Sequence, residues 1–239
     1  MTVAEAVLVL WDIDRTLLYV GDTDRQVYRE TFHQVVGRFP EKLPQRGTGV
    51  TMPLAIRTLL LDNGVLERDI PRLLPRMVEL LPQLLAAHIA EMKLSGAVLP
   101  GAAESLAAVH QTPVLVPTVV TGNLKPNAEI KLRAFSLDSY LDLDIGGFAS
   151  DDPHRPALVG IAQKRALEKH SLGFARSNTV IVGDSLEDVR TGLEGGALVI
   201  GVASGKTSGP ELRQAGADLV LPDLRNPEDL LAAIAALTR

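Results

Sequence analysis

The sequence predicts an α/β fold, a doubly wound parallel sheet (a Rossmann-like core) interrupted after its first strand by an all-helical insertion. Three observations predict it. From about residue 99 onward, short apolar runs alternate with helical periods, the texture of β–α–β crossovers, which are right-handed and build a parallel sheet covered on both faces. One apolar run, residues 6–11 (AVLVLW), stands at the start of the chain, and no partner strand follows it until about residue 114. Between these lie residues about 22–95, which carry helical spacing and little strand character.

Each element has a local reason. Residues 6–11 are a continuous apolar run bounded by a polar turn, as expected of a strand buried on both faces. Asp22 or Thr23 can cap a helix through about Val36, and Pro53–Gly64 begins with a first-turn proline and stops at a glycine. Ile70–Met92 is helical with expected breaks at Pro75 and Pro82. Then follow a helix over Gly101–His110, a strand over Thr118–Val120, a helix over Pro126–Phe135, a short strand over Leu143–Phe148 and a helix over Pro156–His170. Strands at Thr179–Val182, Leu198–Val202 and Asp218–Leu221 alternate with helices at Leu186–Gly195, Gly209–Ala215 and Glu228–Leu237. The expected division is a core of residues 1–17 and 96–239 around a helical domain of residues 18–95.

Composition narrows the function classes. The chain has 239 residues, enough for one or two domains and a large aliphatic core. With 24 Lys+Arg against 29 Asp+Glu, the net charge of −5 gives no general basic face for nucleic acid. One Trp, three Tyr and five Phe are too few for a base-stacking platform. The absence of cysteine excludes disulfides, thiolate metal sites and a cysteine nucleophile. The first residues lack the basic start of a signal peptide, and no stretch has the length and apolarity of a membrane span, so a cytoplasmic protein without membrane or nucleic-acid partners is expected.

In a doubly wound sheet, ligands bind at the C-terminal ends of the strands. Three strands here end in polar residues: Asp12-Ile-Asp14-Arg15-Thr16, Thr121-Gly122-Asn123, and Gly183-Asp184-Ser185 with Asp188 beyond. Each alone is also an ordinary turn or helix cap. Their conjunction would gather Asp12, Asp14 and Asp184 near one point, with Asp188 close behind. Crowded carboxylates repel and resist desolvation, and a hard dication such as Mg²⁺ relieves both. Thr121, the Gly122 amide and the Asn123 side chain add donors for an anion. Metal, donors, nucleophile and proton donor are the parts of phosphoryl transfer.

With these residues in place, the sequence resembles the haloacid dehalogenase superfamily of phosphohydrolases over nearly all of the chain outside the helical block. Asp12, Asp14 and Thr16 match its Asp-x-Asp-x-Thr motif, Thr121 its second motif, and Gly183 to Asp188 its Gly-Asp-Ser-x-x-x-Asp motif. The resemblance implies that Asp12 is a nucleophile forming an aspartyl-phosphate, that Asp14 is the acid and then the base, and that Thr121 holds a phosphoryl oxygen. It implies Mg²⁺ on Asp12, the backbone carbonyl of Asp14 and Asp184, with Asp188 supporting its water shell or ligating directly. Dehalogenases of the superfamily lack the second carboxylate, so Asp14 points to the phosphatase and phosphomutase branches. The helical insertion resembles the cap of phosphoglycolate-type phosphatases, which closes over small substrates.

Two positions depart from the family pattern. Arg15 replaces the usual glycine, which implies an ordinary backbone there or a cation aimed at the substrate. The basic third motif, usually Lys before Pro, is met by Arg155 in His154-Arg155-Pro156, with Lys164 as the other candidate. Arg46, Thr48 and Thr51 in QRGTGVT are expected to face the active site from the cap, unless the segment is a plain interhelical loop. Gly205-Lys206-Thr207 lacks the full phosphate-loop pattern and reads as a surface turn; His33, His88 and His110 have no metal-ligand spacing. The expected activity is hydrolysis of a small phosphate ester. A phosphomutase of the same architecture and a non-catalytic binding protein are the competing readings.

Overall fold

The computed structural model describes residues 6–45 and 49–238. In chain order, β1 (Val7–Trp11) leads to a two-residue strand β2 (Leu18–Tyr19). Four helices follow: α1 (Thr23–Val36), α2 (Met52–Asp62), α3 (Ile70–Ala87) and α4 (Ile89–Ser95). Then come β3 (Ala97–Val98), α5 (Ala102–Gln111), β4 (Leu115–Thr121), α6 (Lys125–Ala134), β5 (Gly147–Phe148), α7 (Ala157–His170) and β6 (Thr179–Gly183). The chain ends with α8 (Leu186–Gly195), β7 (Leu198–Val202), α9 (Gly209–Ala215), β8 (Leu219–Leu221) and α10 (Pro227–Leu237).

Six strands form one parallel sheet in the order β5-β4-β1-β6-β7-β8. β1 is internal and fully buried, which is why its sequence is apolar without alternation. The period of two still sorts its side chains: Val7, Val9 and Trp11 join one hydrophobic cluster, and Leu8 and Leu10 the other. The first cluster takes Leu106 of α5, Leu132 of α6 and Leu230 of α10; the second takes Leu158 and Ala162 of α7, Val189 of α8 and Leu212 of α9. Helices thus cover both faces of the sheet, as a doubly wound fold requires.

Two expectations need correction, and one element lies outside them. Pro75 and Pro82 do not break the long helix: α3 runs through both and ends at Ala87, with His88 as its C-cap. Its inward stripe of Ile70, Leu73, Met77, Leu81 and Leu85 is buried, whereas Pro75 is exposed and Pro82 half-buried, so packing of one face outweighs the donors missing from the other. The expected strand at Leu143–Phe148 shrinks to two residues. The Thr118 hydroxyl donates to the Asp142 carbonyl and the Asp142 amide to the Pro117 carbonyl, so the ladder begins only at Val120 and Gly147. The antiparallel ribbon β2–β3, pairing Leu18 with Val98 and Tyr19 with Ala97, escapes a sequence reading because each strand is too short to show a period. It brings together the two points where the chain leaves and rejoins the sheet domain.

Pro75→Ala restores a helical donor on an exposed face and is expected to stabilise the protein by roughly 2–3 kcal/mol, since an interior proline costs ~3 kcal/mol and the looser unfolded chain takes back up to ~1. Chemical denaturation reads the shift; a lowered midpoint would contradict the account.

Candidate active site

The site assembles at the C-terminal ends of β4, β1 and β6, three neighbours in the sheet. Asp12 is the residue after β1, and its amide donates to the Val182 carbonyl of β6 at 2.9 Å. Thr121 is the last residue of β4, and Asp184 follows Gly183, the last of β6. Lateral spacing of ~4.8 Å between strands is enough to bring these side chains within reach of one another. One ligand oxygen each from Asp12, Asp184 and Asp188 lie within 4.8 Å of one another, and all three residues are buried. Thr16 stands between two of them: its hydroxyl is 3.2 Å from Asp12 Oδ2 and 3.2 Å from Asp184 Oδ1, so its single proton serves one carboxylate at a time.

Arg155 comes from the loop between β5 and α7 and is only 2% exposed. Its Nη2 donates to Asp12 Oδ1 at 2.6 Å and also to Asp188 Oδ1. Burial disfavours its charge, but Asp188 and Asp12 more than offset that and raise its pKa. Asp188 Oδ2 accepts from both the amide and the hydroxyl of Ser185, at 2.9 and 2.6 Å, completing a capping box for α8. Gly-Asp-Ser is therefore a helix cap as well as part of the site. Arg155 leaves the carboxylates undercompensated. Asp12 has its pKa raised by burial and by Asp188, against the opposing pull of Arg155. Asp184 is pushed up to about 7 by burial and Asp188, with Thr16 and Arg155 opposing.

Such a set of buried, underneutralised oxygens suits a hard divalent cation. A second observation fits. A Cβ on Gly205 would stand 1.6 Å from Asp184 Oδ2, so only glycine leaves that oxygen accessible. The Gly205-Lys206-Thr207 segment is thus more than the surface turn expected of it, because it borders Asp184, and the Ser204 hydroxyl donates to the Arg15 carbonyl at 3.0 Å. The Asp14 carboxylate does not join this cluster; only its backbone carbonyl is left for a metal role. Its Oδ2 accepts from Asn123 Nδ2 at 2.7 Å, and both its oxygens accept from Lys131.

Asp12, Asp14, Arg15, Thr121, Gly122, Asn123, Arg155 and Asp184 all line one cavity of about 160 Å³, whose opposite wall includes Tyr28, Gly49 and Met52 of the helical segment. Thr121 Oγ1 accepts from the Asn123 amide and side chain at 3.2 and 2.8 Å, so its own proton is free to turn to the cavity. Asp188 sits behind Arg155 and outside the lining. Arg15 is not in ordinary backbone geometry: its φ is +70°, because its amide closes a tight turn onto the Leu18 carbonyl at 2.7 Å. Its guanidinium lies 5.1 Å from the Tyr19 ring centre. Lys164, the other candidate for the basic residue, is 76% exposed, with its ammonium 3.9 Å from Glu168 on the same helix. Arg46 and Thr48 lie outside the described residues. Thr51 is buried, and its hydroxyl donates to the Pro153 carbonyl at 2.8 Å, which makes it a tether rather than a cavity contact.

Beside that tether, the Met52 amide donates to the Gly122 carbonyl at 2.8 Å, and the Gly49 carbonyl accepts from Arg155 Nη1. Gly49 has φ +71°, and a Cβ there would approach Ser185 Oγ to 2.6 Å, so residues 49–52 meet the strand ends through a glycine that no other residue replaces without strain. Lys131 is the residue that sequence reasoning missed. Its signal was helical spacing: Asn127, Ala128, Lys131 and Leu132 are the buried positions of α6, so the face that carries Ala128 and Leu132 into the core also carries the lysine.

Comparison with solved structures returns the same architecture at low identity. A hydrolase from Pseudomonas syringae aligns with TM-score 0.66 and 22% identity, covering 98% of this chain and 99% of that one. A predicted phosphatase from Clostridium acetobutylicum aligns with TM-score 0.65 and 18% identity over 98% and 100% of the two chains. CbbY from Rhodobacter sphaeroides, solved in complex with phosphate, aligns with TM-score 0.66 and 20% identity over 92% and 96%. No curated protein matches the sequence. The family model described as haloacid dehalogenase-like hydrolase matches residues 9–192, a span from β1 into α8 that carries Asp12, Asp14, Thr121, Arg155, Asp184 and Asp188, and on that match the chain belongs to the haloacid dehalogenase-like hydrolase family.

Proposed function

We propose that the protein is a Mg²⁺-dependent phosphomonoesterase that hydrolyses a small phosphorylated metabolite through an aspartyl-phosphate on Asp12. The observation that carries this reading is the meeting of Asp12, Asp184 and Asp188 oxygens within 4.8 Å beside a buried Arg155 and the hydroxyl of Thr121. Arg155 Nε is also buried with no partner among the described residues, a donor left over for a ligand oxygen. The phosphate bound to CbbY agrees with a phosphoryl group as the cargo of this fold.

In this reading, a carboxylate oxygen of Asp12 bonds to phosphorus as the ester P–O bond breaks, and Asp14 gives its proton to the departing alkoxide. Asp14, now a carboxylate, takes a proton from the water that attacks the aspartyl-phosphate, and phosphate leaves with Asp12 restored. Thr121, the Gly122 amide and Asn123 receive the phosphoryl oxygens, and Arg155 offsets their charge. Asp12, the Asp14 carbonyl and Asp184 would hold Mg²⁺, whose positive charge lets phosphate approach the carboxylates. Asp188 orients Arg155 and caps α8. Residues 18–95 serve as a cap on a core of residues 1–17 and 96–239. The β2–β3 ribbon and the 49–52 tethers support that division, with Arg15 on the cavity wall as a contact for the non-phosphoryl part of the substrate.

Asp12→Asn is expected to lower phosphate release from p-nitrophenyl phosphate by at least about a thousandfold, since the covalent step then has no nucleophile. A panel of phosphorylated metabolites, assayed with and without Mg²⁺ for free phosphate, tests the reading as a whole; transfer to a sugar without phosphate release would mark a phosphomutase instead.

The electrostatics add a pH prediction. Asp184, raised to about 7, must lose its proton to accept a cation. Asp12, whose pKa is raised as well, adds to the same dependence, so Mg²⁺ affinity should fall at least about tenfold per pH unit below 7, which calorimetric titration reads. With its folded pKa above the unfolded one, Asp184 favours the metal-free fold in acid, and that contribution is lost as pH rises toward 7. Mg²⁺ should thus raise the melting temperature more at pH 8 than at pH 6, and equal shifts at both would contradict the assignment.

A further inference from the structure

Lys131 takes no part in the chemistry above, yet its ammonium sits within the site. It projects from α6 with a side chain 0% exposed. Nζ lies 2.9 and 3.0 Å from the two Asp14 oxygens, 2.8 Å from Asp24 Oδ2 and 3.0 Å from Asn123 Oδ1. Three donors thus serve four acceptors, with Asp14 taking a shared one. Asp14 and Asn123 belong to loops at the sheet; Asp24 belongs to the first turn of α1, in the helical segment. No donor is left for water, and no other cation among the described residues touches Asp14 or Asp24.

Burial alone would discharge the lysine, but Asp14 and Asp24 outweigh it and hold the ammonium above its ordinary range. Asp24 is itself raised by burial, with Lys131 opposing. Removing the cation would leave two carboxylates facing one another across a partly buried gap, Asp24 without its ion-pair partner and Asp14 held by the Asn123 side chain alone. The host helix has the right placement for such a link, since α6 packs against α3 and α4 of the helical segment while Ala128 and Leu132 share a hydrophobic cluster with Trp11 and Val119 of the sheet.

We propose that Lys131 is a positioning residue that ties the orientation of the Asp14 carboxylate to the seat of helix α1, through Asp24. The link rests on the reading of Asp14 as the proton-transfer group. It means that the carboxylate is aimed by a cation which the helical segment helps to hold, so a displaced α1 loosens the aim of the Asp14 side chain without touching Asp12, Asp184 or Asp188.

A double-mutant cycle tests it on the best alkyl monophosphate of the panel. Lys131→Met is expected to lower kcat on the order of a hundredfold with little change in KM, the signature of lost orientation. In an Asp14→Ala background the same replacement should cost less than about threefold, because the group it positions is gone. Equal losses in both backgrounds would mean that Lys131 merely supports the fold, and would overturn the proposal. Asp24→Asn cuts only the α1 leg and keeps the question open to measurement should Lys131→Met not fold. It should speed amide hydrogen exchange at residues 23–28 by at least about tenfold while α9 is unaffected, and unchanged exchange in α1 would overturn the tie. If the unaltered protein releases phosphate from no ester, the phosphatase reading fails on its own, and the exchange measurement still decides whether Lys131 joins the two parts of the chain.

Discussion

Negative charge confined in a small buried volume is the constraint on which the rest of this structure depends. Asp12, Asp184 and Asp188 are each buried, and a single guanidinium, Arg155, contacts two of the three. Mutual repulsion and lost hydration both push toward protonation, and the raised pKa values of Asp12 and Asp184 record that pressure. A protein selected only for stability would gain from neutral side chains here. Retaining the acids makes sense where a cation and an anionic ligand arrive together and complete the balance of charge.

The sheet makes the crowding feasible. β4, β1 and β6 are buried on both faces and rigidly paired, so the first residues past their ends are held in place by strand geometry rather than by loop conformation. The cost is spread over neighbours with a second task. Asp188 accepts from Arg155 with one oxygen and caps α8 with the other, so the rotamer that supports the arginine is the one the helix start demands. Thr16 serves two carboxylates with one proton. Gly205 and Gly49 contribute by lacking a side chain, the first beside Asp184 and the second beside Ser185 and Arg155.

Besides the packing of α6 against α3 and α4, three polar or backbone contacts bind the helical segment to the sheet domain, each with a different physical character. The β2–β3 ribbon is backbone pairing at the crossing points. Residues 49–52 add short polar tethers to Gly122, Pro153 and Arg155. The Asp14–Lys131–Asp24 cluster is ionic and buried. Backbone pairing at a ribbon of two residues is the weakest constraint on orientation, whereas polar tethers and a buried ion cluster are directional and sensitive to small displacements. The cavity between the two parts is therefore walled by the groups whose geometry depends most on how they meet.

Much of this was legible along the chain, and the reason is locality. Apolar runs of three to six residues, glycine stops and capping residues act within a few positions, and they placed β1, β6 and β7, the C-terminal half of β4 and nearly every helix. Asp12, Thr121 and Asp184 could be read because each directly follows or ends such a run, so the strand itself delivers the side chain. Tertiary structure alone decided the remainder. Proline in α3 was overruled by a packed face that no local rule contains. The left-handed Arg15 was dictated by a turn that closes onto Leu18. Lys131 acquired its place because the charges that make a buried ammonium tolerable, Asp14 and Asp24, lie 117 and 107 positions away in the chain. Charge compensation is a property of distances in space, and a linear sequence does not carry those distances.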